Sequence, residues 1–385
     1  MNRHFTFATV LSLTCCFCDS GGAQAPQPQQ PTPQQRRPRI TFAEVLRRED
    51  TNRDGKVTKD EFKAAPRLFQ RLDRNRDDVL TREDFPIADR LNANRPNPGR
   101  PNAGRLNAPD DVTVERDVVF GTGGGRDLTM HLVLPKEPSE RPMPVYVWIH
   151  GGGWRSGTKD GGVGQVTPLV RSGFVGATIE YRLTGEAAFP AQIEDCKCAI
   201  RFLRAHATKY NLDVDRIAVG GSSAGGHLVA LLGTSGGVKA LEGSGGWPDQ
   251  SSRVQAVVDL YGPTDFNTFV TTPGYEAHNR DGSPESRLLG GGEVLKKPDG
   301  IKQVNPITYV DKDDPPFLII HGSDDRTVPP NQSELLHQAL QAAKVQSTLH
   351  VIEGAGHGGP QFAQPEIRKM QVDFLLKTFK VASPE

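Results

Sequence analysis

Arg216-Ile217-Ala218-Val219-Gly220-Gly221-Ser222-Ser223-Ala224-Gly225 carries the decisive pattern in this chain. An apolar run of strand character leads without a gap into a cluster of small residues. The flanking glycines let one serine sit on a strained backbone with its hydroxyl exposed, which is the geometry of a nucleophile elbow. Ser223 is the serine in register, with Gly221 two positions before it and Gly225 two after; Ser222 would need glycine at position 224, where alanine stands. G-x-S-x-G also occurs in Gly/Ser loops without catalytic role, so the neighbouring segments decide what it means.

Upstream, Val145-Tyr146-Val147-Trp148-Ile149 reads as a strand buried on both faces, and His150-Gly151-Gly152-Gly153-Trp154 follows it directly. Three consecutive glycines let backbone N–H groups converge on one point, as a developing oxyanion requires. The N–H groups of Gly152, Gly153 and Ala224 are the candidate oxyanion donors, with His150 bracing the loop. Downstream, the strand Phe317–Ile320 runs into His321-Gly322-Ser323-Asp324-Asp325-Arg326-Thr327-Val328-Pro329. The strand Leu349–Ile352 runs into Gly354-Ala355-Gly356-His357-Gly358. A serine nucleophile needs a base, and the base needs an orienting carboxylate. His357, on a glycine-rich loop, is the candidate base, and Asp324 or Asp325 the candidate carboxylate. Of the other histidines, His321 reads as a strand-end structural group and His227 as part of the helix after the serine.

The pattern over 110–385 is one of alternating strands and helices. Val112 to Leu134 reads as a strand pair around Gly121–Gly125, with further strands at Phe174–Ile179, Ile217–Val219 and Ala256–Leu260. Helical spacing covers Ala191 to Tyr210, with Ile193, Cys196, Ile200 and Leu203 on one face, and recurs at about 331–343 and 365–380. Such alternation predicts a mostly parallel sheet flanked by helices, with chemistry at the carboxyl ends of the strands. The Gly/Pro-rich segment from Gly262 to Pro306 interrupts it and reads as a partial cap over the site.

HGGGW, GSSAG, the segment Pro315 to Gly322 with its later Asp and Val328-Pro329, and GAGHG together resemble the α/β-hydrolase esterases. Within these the chain resembles the secreted acetyl-xylan/feruloyl esterase and carboxylesterase group, close to the hormone-sensitive-lipase-like enzymes. The resemblance spans about residues 110–382. It implies an α/β-hydrolase fold and a triad of Ser223, Asp325 and His357, Asp325 being the Asp of H-G-x-x-D-x-x-V. It also implies an acyl-enzyme route for carboxylic esters, among them acetyl or feruloyl esters of polysaccharides, with no cofactor for catalysis.

The first 109 residues have a different character. Arg3 and His4 precede the apolar stretch Phe5 to Phe17, and Ala23-Gln24-Ala25 offers a small-x-small cleavage site, so 1–25 reads as a signal peptide and the protein as secreted or periplasmic. Three of the five cysteines lie in that segment; a lipoprotein is the alternative there. The remaining Cys196 and Cys198 read as buried thiols, not a bridge. Residues 26–39 form a Pro/Gln-rich linker and 92–109 an Asn/Pro-rich one. With 46 Lys+Arg against 46 Asp+Glu, nothing in the bulk charge calls for nucleic acid, and the apolar stretch is short for a membrane span.

Between the linkers, 40–91 reads as a small all-α EF-hand-like pair. Asp50, Asn52, Asp54 and Glu61 occupy positions 1, 3, 5 and 12 of a calcium loop, with Gly55 at the sharp turn and the carbonyl of Lys56 at position 7. A second loop offers Asp73, Asn75, Asp77, the carbonyl of Val79 and Asp84. It departs from the pattern twice, with Asp78 where glycine belongs and Asp84 in place of the terminal Glu. Val57 and Leu80 share position 8, where paired loops make a short strand contact. A dockerin uses similar paired loops to bind a cohesin, and either module leaves room for a protein partner. Two readings compete with a secreted esterase: a prolyl-oligopeptidase-type peptidase, which usually lacks HGGG, and a calcium-dependent binding or scaffold protein, which predicts loss of a triad member.

Overall fold

The computed structural model describes residues 45, 48–51, 56–63, 66–73, 77–81, 109–137 and 139–381. The signal segment 1–25, the linker 26–39, residues 92–108 of the second linker, and Asn52, Asp54, Asn75 and Asp84 lie outside the described residues. Contacts divide the chain into two units, Met1–Asp89 and Arg90–Glu385.

Eight strands of the larger unit form one sheet: β1 (Val112–Gly123), β2 (Arg126–Pro135), β3 (Met143–Ile149), β4 (Val175–Ile179), β5 (Leu212–Ser222), β6 (Ala256–Leu260), β7 (Phe317–Gly322) and β8 (Ser347–Ile352). Their order across the sheet is β8-β7-β6-β5-β3-β4-β2-β1. The pairings of β2 with β1 and with β4 are antiparallel, and all others are parallel. Gly124 and Gly125, at φ 60° and 77°, close the β1–β2 hairpin in the conformation that two-residue loops favour.

The parallel strands are apolar throughout because helices cover both faces. Every residue of β3 is buried. Val145, Val147 and Ile149 point to one core and Tyr146 and Trp148 to the other. The first face is covered by α2 (Ala191–Ala205), α3 (Ala224–Thr234) and α7 (Asn331–Ala342) through Ile193, Ile200, Leu228 and Leu336. On the second lie α1 (Val163–Val170) and α8 (Pro365–Phe379), through Val166, Leu169, Ile367 and Leu375. Each such side chain contributes about 1.5–3 kcal/mol by leaving water. Cys196 and Cys198 are buried free thiols.

Several elements differ from the sequence reading. The helix predicted over Ala191–Tyr210 breaks at His206 into α2 and a short turn, Ala207–Tyr210. β5 begins at Leu212 rather than Ile217, because pairing of Leu212 with Met143 extends it through polar residues. α1 carries an internal Pro168, which hides its helical character. Residues 262–306 hold three short helices, α4 (Phe266–Thr271), α5 (Pro284–Leu288) and α6 (Pro298–Val304).

The smaller unit is not all-α. Val57–Thr58 pairs antiparallel with Val79–Leu80, Val57 opposite Leu80, beside the helix Pro66–Leu72. Val45, Val57, Phe69 and Leu80 form its core, in which two apolar residues facing each other across the loops favour a short ladder. Asp78 sits at φ 60°, in the left-handed region that its position demands, and its N–H donates to Asp73 Oδ2 at 3.1 Å.

Candidate active site

β5 delivers Ser222 and then Ser223, which adopts φ 57°, ψ −120° before α3 begins at Ala224. That backbone costs about 1–3 kcal/mol and persists only because its surroundings hold it. The Ser223 N–H donates to the Leu260 carbonyl at 2.9 Å, pinning the bend to the end of β6. A Cβ on Gly225 would lie 2.1 Å from the Ile149 carbonyl oxygen, so the turn closes against β3 only with glycine there.

The three residues singled out for chemistry meet. His357 Nε2 lies 2.8 Å from Ser223 Oγ, and His357 Nδ1 lies 2.6 Å from Asp325 Oδ2. Asp325 follows β7 and its side chain is fully buried. Its Oδ1 accepts the N–H groups of Thr327 and Val328, at 2.8 and 3.0 Å. Asp324, the other candidate, has no part in this chain. Burial works against the Asp325 charge, but hydrogen bonds from His321 and His357 and the Val328 amide overcome it and hold its carboxyl far below the usual range. The carboxylate is therefore charged at neutral pH, fixing the Nδ1–H tautomer of His357 and leaving Nε2 to accept the serine proton.

His321 does more than end a strand. Its Nε2 faces both the Val328 carbonyl at 3.0 Å and Asp325 Oδ2 at 3.2 Å, and its Nδ1 meets Ser333 Oγ at 2.6 Å. Both neighbours of Nε2 only accept, so Nε2 carries the proton and His321 donates to the triad acid. Tyr261, left at φ 45° after β6, sets its ring edge against His357, centroids 4.7 Å apart. The Tyr275 hydroxyl donates to the Asp325 carbonyl. No short-range pattern marks Tyr261 or Tyr275, which distant segments bring in, whereas His321 lies only four residues before Asp325, in the same H-G-x-x-D stretch.

Gly152 (φ 114°) and Gly153 (φ 59°) turn the loop after β3 so that it lines the serine's cavity together with Ala224. Ala224 opens α3, so its N–H has no acceptor within the helix and is available to an oxyanion. His150 is buried, stacks on Tyr181 and bonds the Gly151 carbonyl, which makes it a brace of the loop. Trp154 Nε1–H donates to His227 Nδ1 at 3.2 Å, and His227 Nε2–H to the Val304 carbonyl at 2.8 Å, tying the glycine loop to α3 and the end of α6. The cavity measures about 400 Å³, and Pro263, His278, Pro284 and Glu285 from the 262–306 segment form part of its wall.

A profile described as BD-FAE matches residues 130–340, more than half of the sequence. The chain belongs to the BD-FAE family. This BD-FAE protein is similar to esterase LipC of Mycobacterium tuberculosis, 32% identical over 226 residues, 58% of this chain and 55% of LipC. Among solved structures it is similar to a truncated form of a carbohydrate esterase from gut microbiota. That match has a TM-score of 0.65 and 33% identity, and covers 71% of this chain and 99% of the other. It is also similar to Thermogutta terrifontis esterase 2 phosphorylated by paraoxon, with a TM-score of 0.58, 25% identity, and coverage of 72% and 97%. The chain spans about half the length of the curated relatives it matches. The larger unit of this BD-FAE protein is a carboxylic-ester hydrolase of the serine type.

Proposed function

We propose that the whole protein is an exported serine esterase acting on acyl groups carried by carbohydrates. The observation that carries the catalytic part is the unbroken chain Ser223–His357–Asp325 opening into a cavity edged by glycine-loop backbone. His357 Nε2 takes the Ser223 proton as Oγ attacks the ester carbonyl carbon. The carbonyl oxygen, now negative, is held by the N–H groups of Gly152, Gly153 and Ala224; each such donor is worth about 3 kcal/mol of barrier. The alcohol leaves with the proton returned from His357. Water, deprotonated by the same nitrogen, then releases the acid and frees the serine. Carbohydrate as the alcohol rests on the likeness to the gut carbohydrate esterase.

Export rests on the pattern of residues 1–25, and no described helix is long and apolar enough to cross a membrane. For the smaller unit we propose calcium, held by Asp50, Asn52, Asp54, the Lys56 carbonyl and Glu61, and in the second loop by Asp73, Asn75, Asp77, the Val79 carbonyl and Asp84. The support is the loop pattern, the left-handed Asp78 and the Val57–Leu80 pairing. Among the described residues no three acidic, His or Cys side chains are arranged to hold a metal ion, and Asn52, Asp54, Asn75 and Asp84 are not among them. Calcium there would supply cross-linking of the loops and no chemistry.

The deciding experiment is p-nitrophenyl acetate hydrolysis by wild type and Ser223→Ala, with labelling by a fluorophosphonate. Wild type should turn over and label, and the variant should do neither while keeping its circular dichroism. Activity that survives in the variant would end this reading.

A further inference from the structure

The wall of the Ser223 cavity contains a buried acid that the mechanism does not use. Glu285, in the first turn of α5, is 3% exposed and lines the same cavity as Ser223. Its Oε2 lies 2.9 Å from His278 Nδ1. Its Oε1 has no protein partner among the described residues, and neither has His278 Nε2. The pair is built in. Ser283 Oγ accepts the Ser286 N–H and donates to the His278 carbonyl, and the His278 ring packs on Phe269 with centroids 4.6 Å apart. A Cβ on Gly153 would come 3.2 Å from Pro284 Cβ, so α5 abuts the loop that offers the oxyanion donors.

The free atoms of this pair are polar and unpaired. A carboxylate only accepts, so Glu285 Oε1 calls for a donor from the ligand, and His278, whose Nδ1 is engaged by Oε2, presents Nε2 as a second polar atom. A hydrocarbon group placed there would strip their water and return nothing. An ammonium ligand would meet the guanidinium of Arg155 in the same cavity. Neutral hydroxyl groups fit both conditions.

We infer that Glu285 and His278 form a subsite for hydroxyl groups of the substrate's sugar, selecting glycosyl esters over alkyl esters of the same acid. This rests on the esterase reading above. A site built to bond a substrate hydroxyl discriminates strongly against the analogue without it, because its own polar atoms are left unpaired.

The test compares kcat/KM for a monoacetylated methyl xyloside with that for cyclohexyl acetate, a ring of like size without hydroxyls. Wild type should favour the xyloside ester, and the ratio of the two constants should fall about tenfold or more in Glu285→Gln and in His278→Ala. A ratio that stays put in these variants, or rates that drop together on both esters, would overturn the inference. If a variant does not fold, wild type still decides, since equal or lower kcat/KM on the xyloside ester refutes a hydroxyl subsite. Failure of the underlying reading looks different, because wild type would then hydrolyse neither ester or Ser223→Ala would hydrolyse both.

Discussion

Acid should unfasten the larger unit at His227. This imidazole is fully buried in α3, with Nδ1 accepting from Trp154 and Nε2 donating to Val304. Burial pushes its pKa down from 6.5 to about 4, against the opposing pull of the Val304 carbonyl. A proton on Nδ1 would face the Trp154 N–H, donor against donor. Because the folded value lies below the unfolded one, the unfolded chain takes up the proton first. The stability linked to His227 is therefore complete above pH 6.5 and drains away as the pH falls to about 4. The gap corresponds to about 3 kcal/mol, or about 5 °C in Tm for a unit spanning Arg90–Glu385. Asp259 and Asp314, raised by burial to about 6 and about 7, titrate nearby with the opposite sign. The readout is therefore the Tm of wild type minus that of His227→Gln, which keeps a donor and an acceptor but cannot titrate. That difference should fall by the stated amount between pH 6.5 and 4. A flat difference curve would refute the reasoning.

Asp325→Asn should lower kcat by about 10³–10⁴ with KM nearly unchanged, since the amide no longer fixes the proton on His357 Nδ1; steady-state kinetics within tenfold of wild type would contradict this. Calcium should raise the resistance of the full-length protein to proteolysis within residues 40–91, chelator should remove that protection, and Glu61→Gln should weaken it. Identical digestion patterns with calcium and with chelator would exclude the metal.

Much of the site is written in local sequence, because its parts are backbone devices. Gly221 and Gly225 around Ser223, the glycines after Ile149, and His357 on a loop between glycines are demands of turn geometry, which acts over a few residues. The alternation of apolar strands and amphipathic helices is local too, so the layered sheet could be read before any contact was known. Helices with internal proline, such as α1, and the short helices between Gly262 and Pro306 escaped, since their stability comes from packing rather than propensity.

The chain by itself thus determined which serine, which histidine and which two neighbouring aspartates could carry the chemistry. Tertiary structure decided between Asp324 and Asp325 at this level, and brought Tyr261 onto the base and Trp154 onto His227. It also placed Glu285 and His278 in the wall of the cavity that holds Ser223. The division has a physical cause: turn and strand preferences are fixed by neighbours in the chain, whereas a side-chain partner depends on where the parallel crossovers bring distant segments together.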